Sequence, residues 1–254
     1  MHNIYTKIIA GIHKYFKQSG VEKAVIGISG GLDSAVALKL TVDALSKENV
    51  TAIMMPEKGV SLDENIVHAK LLCDFLNVEH YTVNINKFLT DYLTLPWKPN
   101  TLAQINSKTR LRMAMLYSFA NTRNALVVGT ANKTDLQIGF VTKYGDLAAD
   151  IHVLGDLFKE DVYKLAEHLG LPDEMISKTP TGELYIGQTD EDEVGLNHKE
   201  IESVLVQIEK GTSKDEMINK GINPNTVQKV LRLVKQNEHK LRTPLIIEAT
   251  TKTL

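Results

Sequence analysis

One cysteine in 254 residues, Cys73, excludes an internal disulfide, and nothing around it has the paired spacing of a metal site. It lies in the apolar helical run Ala69-Lys-Leu-Leu-Cys-Asp-Phe-Leu76 and reads as a small buried hydrophobe. Neither charge sign predominates: 29 Lys and Arg face 31 Asp and Glu, a formal net charge of −2. A nucleic-acid groove or an anionic membrane surface is therefore not expected. The chain has no apolar run of the roughly 18 residues that a membrane helix needs. Its start, Met-His-Asn-Ile-Tyr-Thr-Lys-Ile, also lacks the apolar core of a signal peptide, so the reading is a soluble, cytoplasmic protein. Repeats and low-complexity tracts are missing too. What remains is a length suited to one α/β domain, 1–254, with a sizeable core.

The chain is organised around Val25-Ile-Gly-Ile-Ser-Gly-Gly-Leu-Asp-Ser-Ala35, an apolar run that breaks at a glycine pair and resumes as Ala-Val-Ala-Leu-Lys-Leu. This predicts strand, tight turn and helix. The glycines allow a sharp turn and close approach of a ligand, and the amides of a first helical turn favour an anion such as phosphate. A carboxylate in the same turn, Asp33, is suited to an accompanying Mg2+. The phosphate loop GxxxxGK[ST] is absent, because no Lys follows Gly31. The plainer reading is an ordinary connection with Asp33 and Ser34 as caps. At average residue usage, however, five fixed positions of SGGxDS arise by accident in roughly one such chain in a few thousand.

Around this turn, strand and helix alternate. Ile4, Ile8, Ile9, Ile12 and Phe16 mark an amphipathic first helix, a core or subunit-interface stripe, ending near Ser19-Gly20. Val50 to Met55, closed by Pro56, reads as a strand buried on both faces, and Glu79 to Asn84 as a third strand. Ser61-Leu-Asp-Glu64 has the form of a capping box opening a helix to Leu76. Asp91 to Thr101, with Pro96 and Pro99, reads as loop. Gln104 to Asn121 reads as a helix with Leu111, Met115 and Phe119 inward and Arg110 and Arg112 near its start. Ala125 to Thr130 is the fourth strand. The pattern implies a doubly wound, mostly parallel α/β sheet with helices on both faces, Rossmann-like, binding ligands at the strand ends carrying Ser29, Met55 and Thr130. A helix is expected over Lys159 to Leu169, a loop over Thr181 to Gly195, and helices near 197–209, 214–220 and 224–240.

Several polar constellations carry chemistry. Gly129-Thr-Ala-Asn-Lys-Thr-Asp135 places a second carboxylate just past a strand end, and two carboxylates converging with phosphate oxygens suit Mg2+. Asp135 could equally be a plain helix-start residue. Thr142-Lys-Tyr-Gly-Asp146, with Asp150 and Lys159 following, offers cations and acceptors on exposed backbone, or a solvated loop. Arg110 and Arg112, unfavourable at a helix start, motivate a ligand role for at least one of them, against an ordinary salt bridge. His239 and Lys240 fall at the end of a last helix, where they could simply complement its negative pole.

Together these segments resemble the bacterial, ammonia-dependent NAD synthetases, members of the N-type ATP pyrophosphatases, from Ile4 to Pro244. The matching stretches are GISGGLDS (27–34), NSKTRLRM (106–113), GTANKTD (129–135), TKYGDLAADI (142–151), GDLFKEDVYKLA (155–166), PTGELYIGQTDEDEVG (180–195) and HKLR (239–242). The resemblance implies an adenine nucleotide alpha hydrolase-like fold. It also implies amidation of nicotinic acid adenine dinucleotide (deamido-NAD) to NAD, with ATP split into AMP and pyrophosphate. By it, Gly27, Ile28, Ser29, Gly30, Gly31, Leu32, Asp33 and Ser34 hold the phosphates, and Met55, Thr130, Lys159 and Thr181 also bind ATP. Asp33 and Asp135 ligate Mg2+; the family has Glu at the second position. Arg110, Lys143, Asp150, His239 and Lys240 bind deamido-NAD. Loops near 81–98 and 181–195 close over the ligands, and the enzyme is a homodimer.

No nucleophilic side chain is required, because the substrate's own carboxylate attacks the α-phosphorus and ammonia then attacks the acyl adenylate. Asp33 and Lys159 stabilise charge, and Asp150 or a neighbouring acid orients or deprotonates ammonium. There is no room for a glutamine-hydrolysing domain, so free or partner-supplied ammonia is expected. The same loop serves GMP synthetase, argininosuccinate synthetase and tRNA-modifying enzymes, and a nucleotide sensor without turnover is the alternative outside enzymes. The second carboxylate and Lys159 favour catalysis.

Overall fold

The computed structural model describes residues 1–92, 94–177, 185, 187 and 190–247. Short apolar runs form the strands Lys23–Gly27 (β1), Val50–Met54 (β2) and Ala125–Gly129 (β4), and the more polar Glu79–Thr82 (β3) and Ile151–His152 (β5) are the other two. All pair in parallel in the order β3-β2-β1-β4-β5. The doubly wound α/β sheet is as expected, with one more strand than the pattern predicts. Two-residue β5, paired with Val128 and Gly129, is too short to show a period.

Alternation within the strands sends side chains to two cores. Ala24, Ile26, Ala52, Met54 and Val128 face helices His2–Ser19 (α1), Leu32–Leu45 (α2), Asp63–Leu76 (α3), Lys159–His168 (α7) and Asp173–Ile176 (α8). Val25, Ile53 and Val127 face Thr101–Arg123 (α5), so helices cover both faces. Buried residues recur around α2 on nearly all sides, since it lies between the sheet and α1 and α7. The first-helix stripe belongs to this core: Ile12 and Phe16 are buried, with Ile4, Ile8 and Ile9 packed against it. A third core joins Lys133–Ile138 (α6) to the C-terminal helices His198–Glu209 (α10), Lys214–Asn219 (α11) and Pro224–Asn237 (α12). Capping boxes at Asn197/Glu200 and Ser213/Glu216, and a proline in the first turn of α12, fix the starts of these three helices.

Several local expectations are corrected. Helix α3 starts with Leu62 as N-cap and no side-chain cap, because the Ser61 hydroxyl instead accepts from Glu57 N at 3.1 Å. The helix Asn86–Tyr92 (α4) occupies part of the segments read as loop. Helix α5 begins at Thr101, with the Asn100 side chain accepting from Ala103 N. Arg110 and Arg112 are therefore deep inside the helix, and the dipole argument for them lapses. Its buried seam is Met113, Leu116 and Ala120, flanked by the half-buried Leu111, Met115 and Phe119. The acids at 190–193 belong to a short helix, Asp190–Val194 (α9), inside the expected loop.

One glycine makes room for the end of α12. Gly139 has φ +70°, and a Cβ there would meet the Asn237 Cβ at 2.0 Å. Asn237 donates to Ile138 O at 3.0 Å, which holds the turn Glu238–Lys240 against the segment after α6.

Cys73 is fully buried in α3, and burial, with Asp74 second, pushes its thiol up to about 12. A thiol reagent at pH 8 is therefore expected to label the native protein at least about a hundredfold more slowly than the urea-unfolded chain. Rapid native labelling would contradict the packing described for α3.

Candidate functional site

Elementary backbone chemistry shapes the turn between β1 and α2. Gly31 is the N-cap of α2 and has no side chain, so it gives the first-turn amides no side-chain acceptor. Gly30 has φ +85°, and a Cβ would meet Asn65 O at 2.2 Å, so only glycine lets the turn lie against α3. The hydroxyls stiffen the turn from within: Ser34 Oγ donates to Gly31 O at 2.9 Å and accepts from Ser29 N at 3.3 Å. Ser29 Oγ accepts from Gly31 N at 3.2 Å. Ser34 is thus a back-clamp on the turn, and the helix end keeps its dipole for an anion.

Beside this turn three charged side chains and one amide interlock. Lys159 Nζ, buried at the start of α7, donates to Asp33 Oδ2 in a short contact. Asn132 Nδ2 donates to Asp33 Oδ1 at 3.2 Å and to Asp135 Oδ2 at 2.6 Å. The Asn132 carbonyl oxygen accepts from Asp135 N at 3.0 Å, so the same residue caps α6. Burial alone pushes a lysine down, but Asp33 and then Asp135 outweigh it and hold Lys159 above its ordinary range. The ammonium therefore stays charged. His198, the first residue of α10, is pushed down to about 4, by burial first and then by the Lys159 charge, so its imidazole is neutral.

A cleft of about 370 Å3 opens at the carboxyl ends of β1, β2 and β4, where the strand order reverses between β1 and β4. Gly27, Ile28, Ser29, Ser34, Met55 and Thr130, all expected at an ATP site, line it. Met113 and Leu116 of α5 supply apolar wall, and Arg112 reaches in while donating to Met55 O at 3.0 Å. Asp146 and Lys240 face the cleft from the opposite side. Asp146 keeps an exposed edge toward the cleft, yet the protein atoms packed around it push its carboxyl up to about 6 despite the bond from Thr142 N at 2.7 Å. Lys240 is pushed down by burial, offset in part by Asp146, and donates to Gly139 O at 2.7 Å and Val141 O at 3.0 Å.

The residues expected for a second substrate divide. Arg110 Nε donates to Lys143 O at 3.2 Å and Lys143 Nζ to His239 O at 2.9 Å, so these three form one chain of contacts beside Lys240. Asp150 lies apart from them: Oδ2 accepts from Val127 N at 2.7 Å and Oδ1 from Tyr117 OH at 3.0 Å, tying β4 to α5. Thr181 lies outside the described residues, as does most of the loop around it. Sequence reasoning missed Asn132, His198 and Glu202 as site residues and offered Asp146 only as part of the Thr142–Asp146 constellation. Asn132 had a signal in the cap spacing Asn-Lys-Thr-Asp, whereas His198 and Glu202 show their position only once the helices are packed.

Removing one member of a mostly buried ion pair leaves the other uncompensated. Asp33→Asn is expected to lower stability by about 2–3 kcal/mol, less than the roughly 3–5 kcal/mol of a fully buried pair because Asp33 keeps some solvent. Combining it with Lys159→Met restores most of that loss. Equal urea midpoints for wild type and Asp33→Asn would contradict the pairing.

The NAD synthase family matches residues 4–244 of this chain. An NH3-dependent NAD+ synthetase of Fusobacterium nucleatum is 37% identical over 97% of this chain and 95% of its own. One from Methanosarcina acetivorans is 38% identical over 95% and 96%. Among solved structures, an NMN synthetase from Francisella tularensis superposes with a TM-score of 0.84 at 30% identity, over 97% of this chain and 98% of its own. An NH3-dependent NAD synthetase from Campylobacter jejuni does so with 0.83 at 30%, over 97% and 99%. With its cradle, its acid and lysine cluster and these full-length likenesses, the chain belongs to the NAD synthase family.

Proposed function

We propose that the protein makes NAD by joining ammonia to the carboxylate of deamido-NAD with ATP. The observation that carries this reading is the interlocked Asp33, Asn132, Asp135 and Lys159 beside the β1–α2 turn, whose Ser29 and Ser34 line the cleft. ATP fits with its base against Met55 and the apolar wall and its phosphates over residues 27–34. The substrate carboxylate then attacks the α-phosphorus and pyrophosphate leaves. Lys159 and the first-turn amides of α2 meet the charge that develops on the phosphates. Ammonia attacks the acyl carbon, AMP leaves with the bonding electrons, and the nitrogen gives up its excess proton. Asp146, facing the cleft with its carboxyl pushed up to about 6, is suited to take that proton. Asp150 holds β4 and α5 in place beneath the site.

Mg2+ belongs to the same reading. Among the described residues no three or more His, Cys, Asp or Glu side chains cluster, but two hard carboxylates converge through Asn132. That donor set fits an ion that takes one or two carboxylates and completes its shell with phosphate oxygens and water. Bound there, Mg2+ supplies charge neutralisation on the phosphates. Arg110, Lys143, His239 and Lys240 take the dinucleotide acid. A homodimer in the cytoplasm completes the proposal. Leu111 and Met115 on α5, like Ile4, Ile8 and Ile9 of the first helix, pack against the core and keep only part of their surface for a partner.

A second reading, with the mononucleotide acid as substrate, rests on the Francisella likeness. One assay separates the two. With ATP, Mg2+ and ammonium, deamido-NAD is expected to give equal AMP, pyrophosphate and NAD, with kcat/KM at least about a hundredfold above that for nicotinic acid mononucleotide. No AMP with either acid would sink the ligase reading, and preference for the mononucleotide would reassign the substrate.

The proton-handling role has its own signature. An Asp146 carboxyl near 6 is ionised at pH 8 and protonated below 6, so amidation is expected to fall through pH 6 beyond the change due to ammonium ionisation. Asp146→Asn should lose about a hundredfold or more in amidation at pH 8, and that limb with it, while still releasing pyrophosphate. An unchanged pH profile would refute the assignment.

A further inference from the structure

Helix α7 has a start that its own sequence does not cap. Its N-cap, Phe158, offers no side-chain acceptor, yet Lys159, the first residue of the helix, is buried together with its amide. Buried amides need partners. A carboxylate from a distant helix supplies them: Glu202 Oε1, on α10, accepts from Lys159 N at 2.7 Å and Glu160 N at 3.4 Å. Thr134, in the first turn of α6, donates its hydroxyl to the same oxygen at 2.7 Å and accepts from Lys159 N at 3.0 Å. All three residues are buried, with exposures of 7% for Glu202, 2% for Lys159 and 0% for Thr134.

The two helix starts joined in this way carry the site. Thr134 stands between Asn132 and Asp135, and the Lys159 side chain runs from the other corner to Asp33. A single carboxylate thus sets how far the first turn of α6 stands from that of α7. It complements the positive end of a ten-residue helix as well. Its element, α10, otherwise packs into the third core with α11 and α12.

We propose that Glu202 is a positioning residue for the adenylation step: as an interhelical cap it fixes the start of α7, and so places Lys159 against Asp33 and the incoming phosphates. Through this contact the C-terminal helices bear on the start of α7. The inference rests on the proposed ATP-splitting reading. Burial holds the Glu202 carboxyl above its ordinary range, and the bonds from Thr134 and the two amides oppose that rise. A neutral amide keeping the acceptor oxygen can therefore stand in for it.

The test is a double-mutant cycle on the adenylation half-reaction, read as pyrophosphate release from ATP, Mg2+ and deamido-NAD without ammonium. Glu202→Met, which keeps the bulk but not the acceptor, is expected to lower its rate at least tenfold while KM for deamido-NAD changes less than twofold. Glu202→Gln should recover to within about threefold of wild type. On a Lys159→Ala background Glu202→Met should add less than twofold, because both changes remove the same placed ammonium. Wild-type adenylation in Glu202→Met, or losses that multiply in full with Lys159→Ala, would overturn the inference. Where Glu202→Met does not fold, Thr134→Val removes one edge of the triangle and is held to the same two criteria. A crystal structure of Glu202→Met or Thr134→Val separates this inference from the functional reading. Loss of the Lys159–Asp33 contact supports positioning even if the wild type shows no turnover, and an unmoved Lys159 refutes it.

Discussion

A lysine charge held away from water, with one carboxylate against it, is the constraint around which this molecule is arranged. Lys159 and Asp33 are 126 positions apart, one at the start of α7 and the other in the first turn of α2. An unpaired ammonium at that depth would be untenable, so the turn after β1 and the helix after β5 must meet. Asn132 extends the constraint by tying Asp33 to Asp135, which brings in the segment after β4. Three connections that are remote in sequence are thereby fixed relative to one another. The resulting cluster has both carboxylates aimed at one small region and a cation beside them.

The parallel sheet makes this meeting possible. Strand ends after β1 and β4 are neighbours because those strands pair directly, and α7 follows β5 on the other side of β4. Right-handed crossovers return each helix to the sheet with its start at the same edge, so helix starts and loop residues collect there. Apolar side chains alternating between two cores hold that edge in register: Val25, Ile53 and Val127 point to α5, and their neighbours to α1, α2 and α7. Gly30 lets the turn lie against α3 without a side chain in the way. The anion cradle is therefore a by-product of packing that the core already enforces.

Much of this was legible along the chain, and the reasons are local. Three of the four longer strands are short apolar runs with sharp boundaries, and the C-terminal helices carry explicit caps, as at Asn197/Glu200 and Ser213/Glu216. The cradle announced itself because glycine, serine and aspartate fell in a spacing that only a strand-to-helix turn uses. What stayed hidden depends on distance or on ambiguous faces. In α5, Leu111, Met115 and Phe119 form as good a stripe as Met113, Leu116 and Ala120, and only the sheet decides which is buried. Asp150 and Asp146 are equivalent acids in sequence. The structure gives one to a β4 amide and the Tyr117 hydroxyl, and turns the other into the cleft. Nothing near Glu202 points to Lys159, 43 positions earlier.

The Asp33–Lys159 pair and the cleft-lining Asp146 treat charge in opposite ways, and that contrast bears on the proposed chemistry. Beside the β1–α2 turn, close contact between opposite charges overcomes burial and keeps Lys159 an ammonium. In the cleft Asp146 and Lys240 interact without a direct bond, the surrounding protein atoms outweigh that interaction, and both shift toward their neutral forms. A fixed cation stabilises charge as a phosphorus–oxygen bond breaks and needs no proton of its own. A carboxyl near 6 can gain and lose a proton close to neutral pH, which is what an attacking nitrogen requires. Neither group could replace the other: a permanently charged pair would hold its proton too firmly, and a half-neutral carboxyl would stabilise phosphate charge poorly. In the proposed reaction, charge stabilisation and proton transfer are therefore divided between two groups, each tuned to one step.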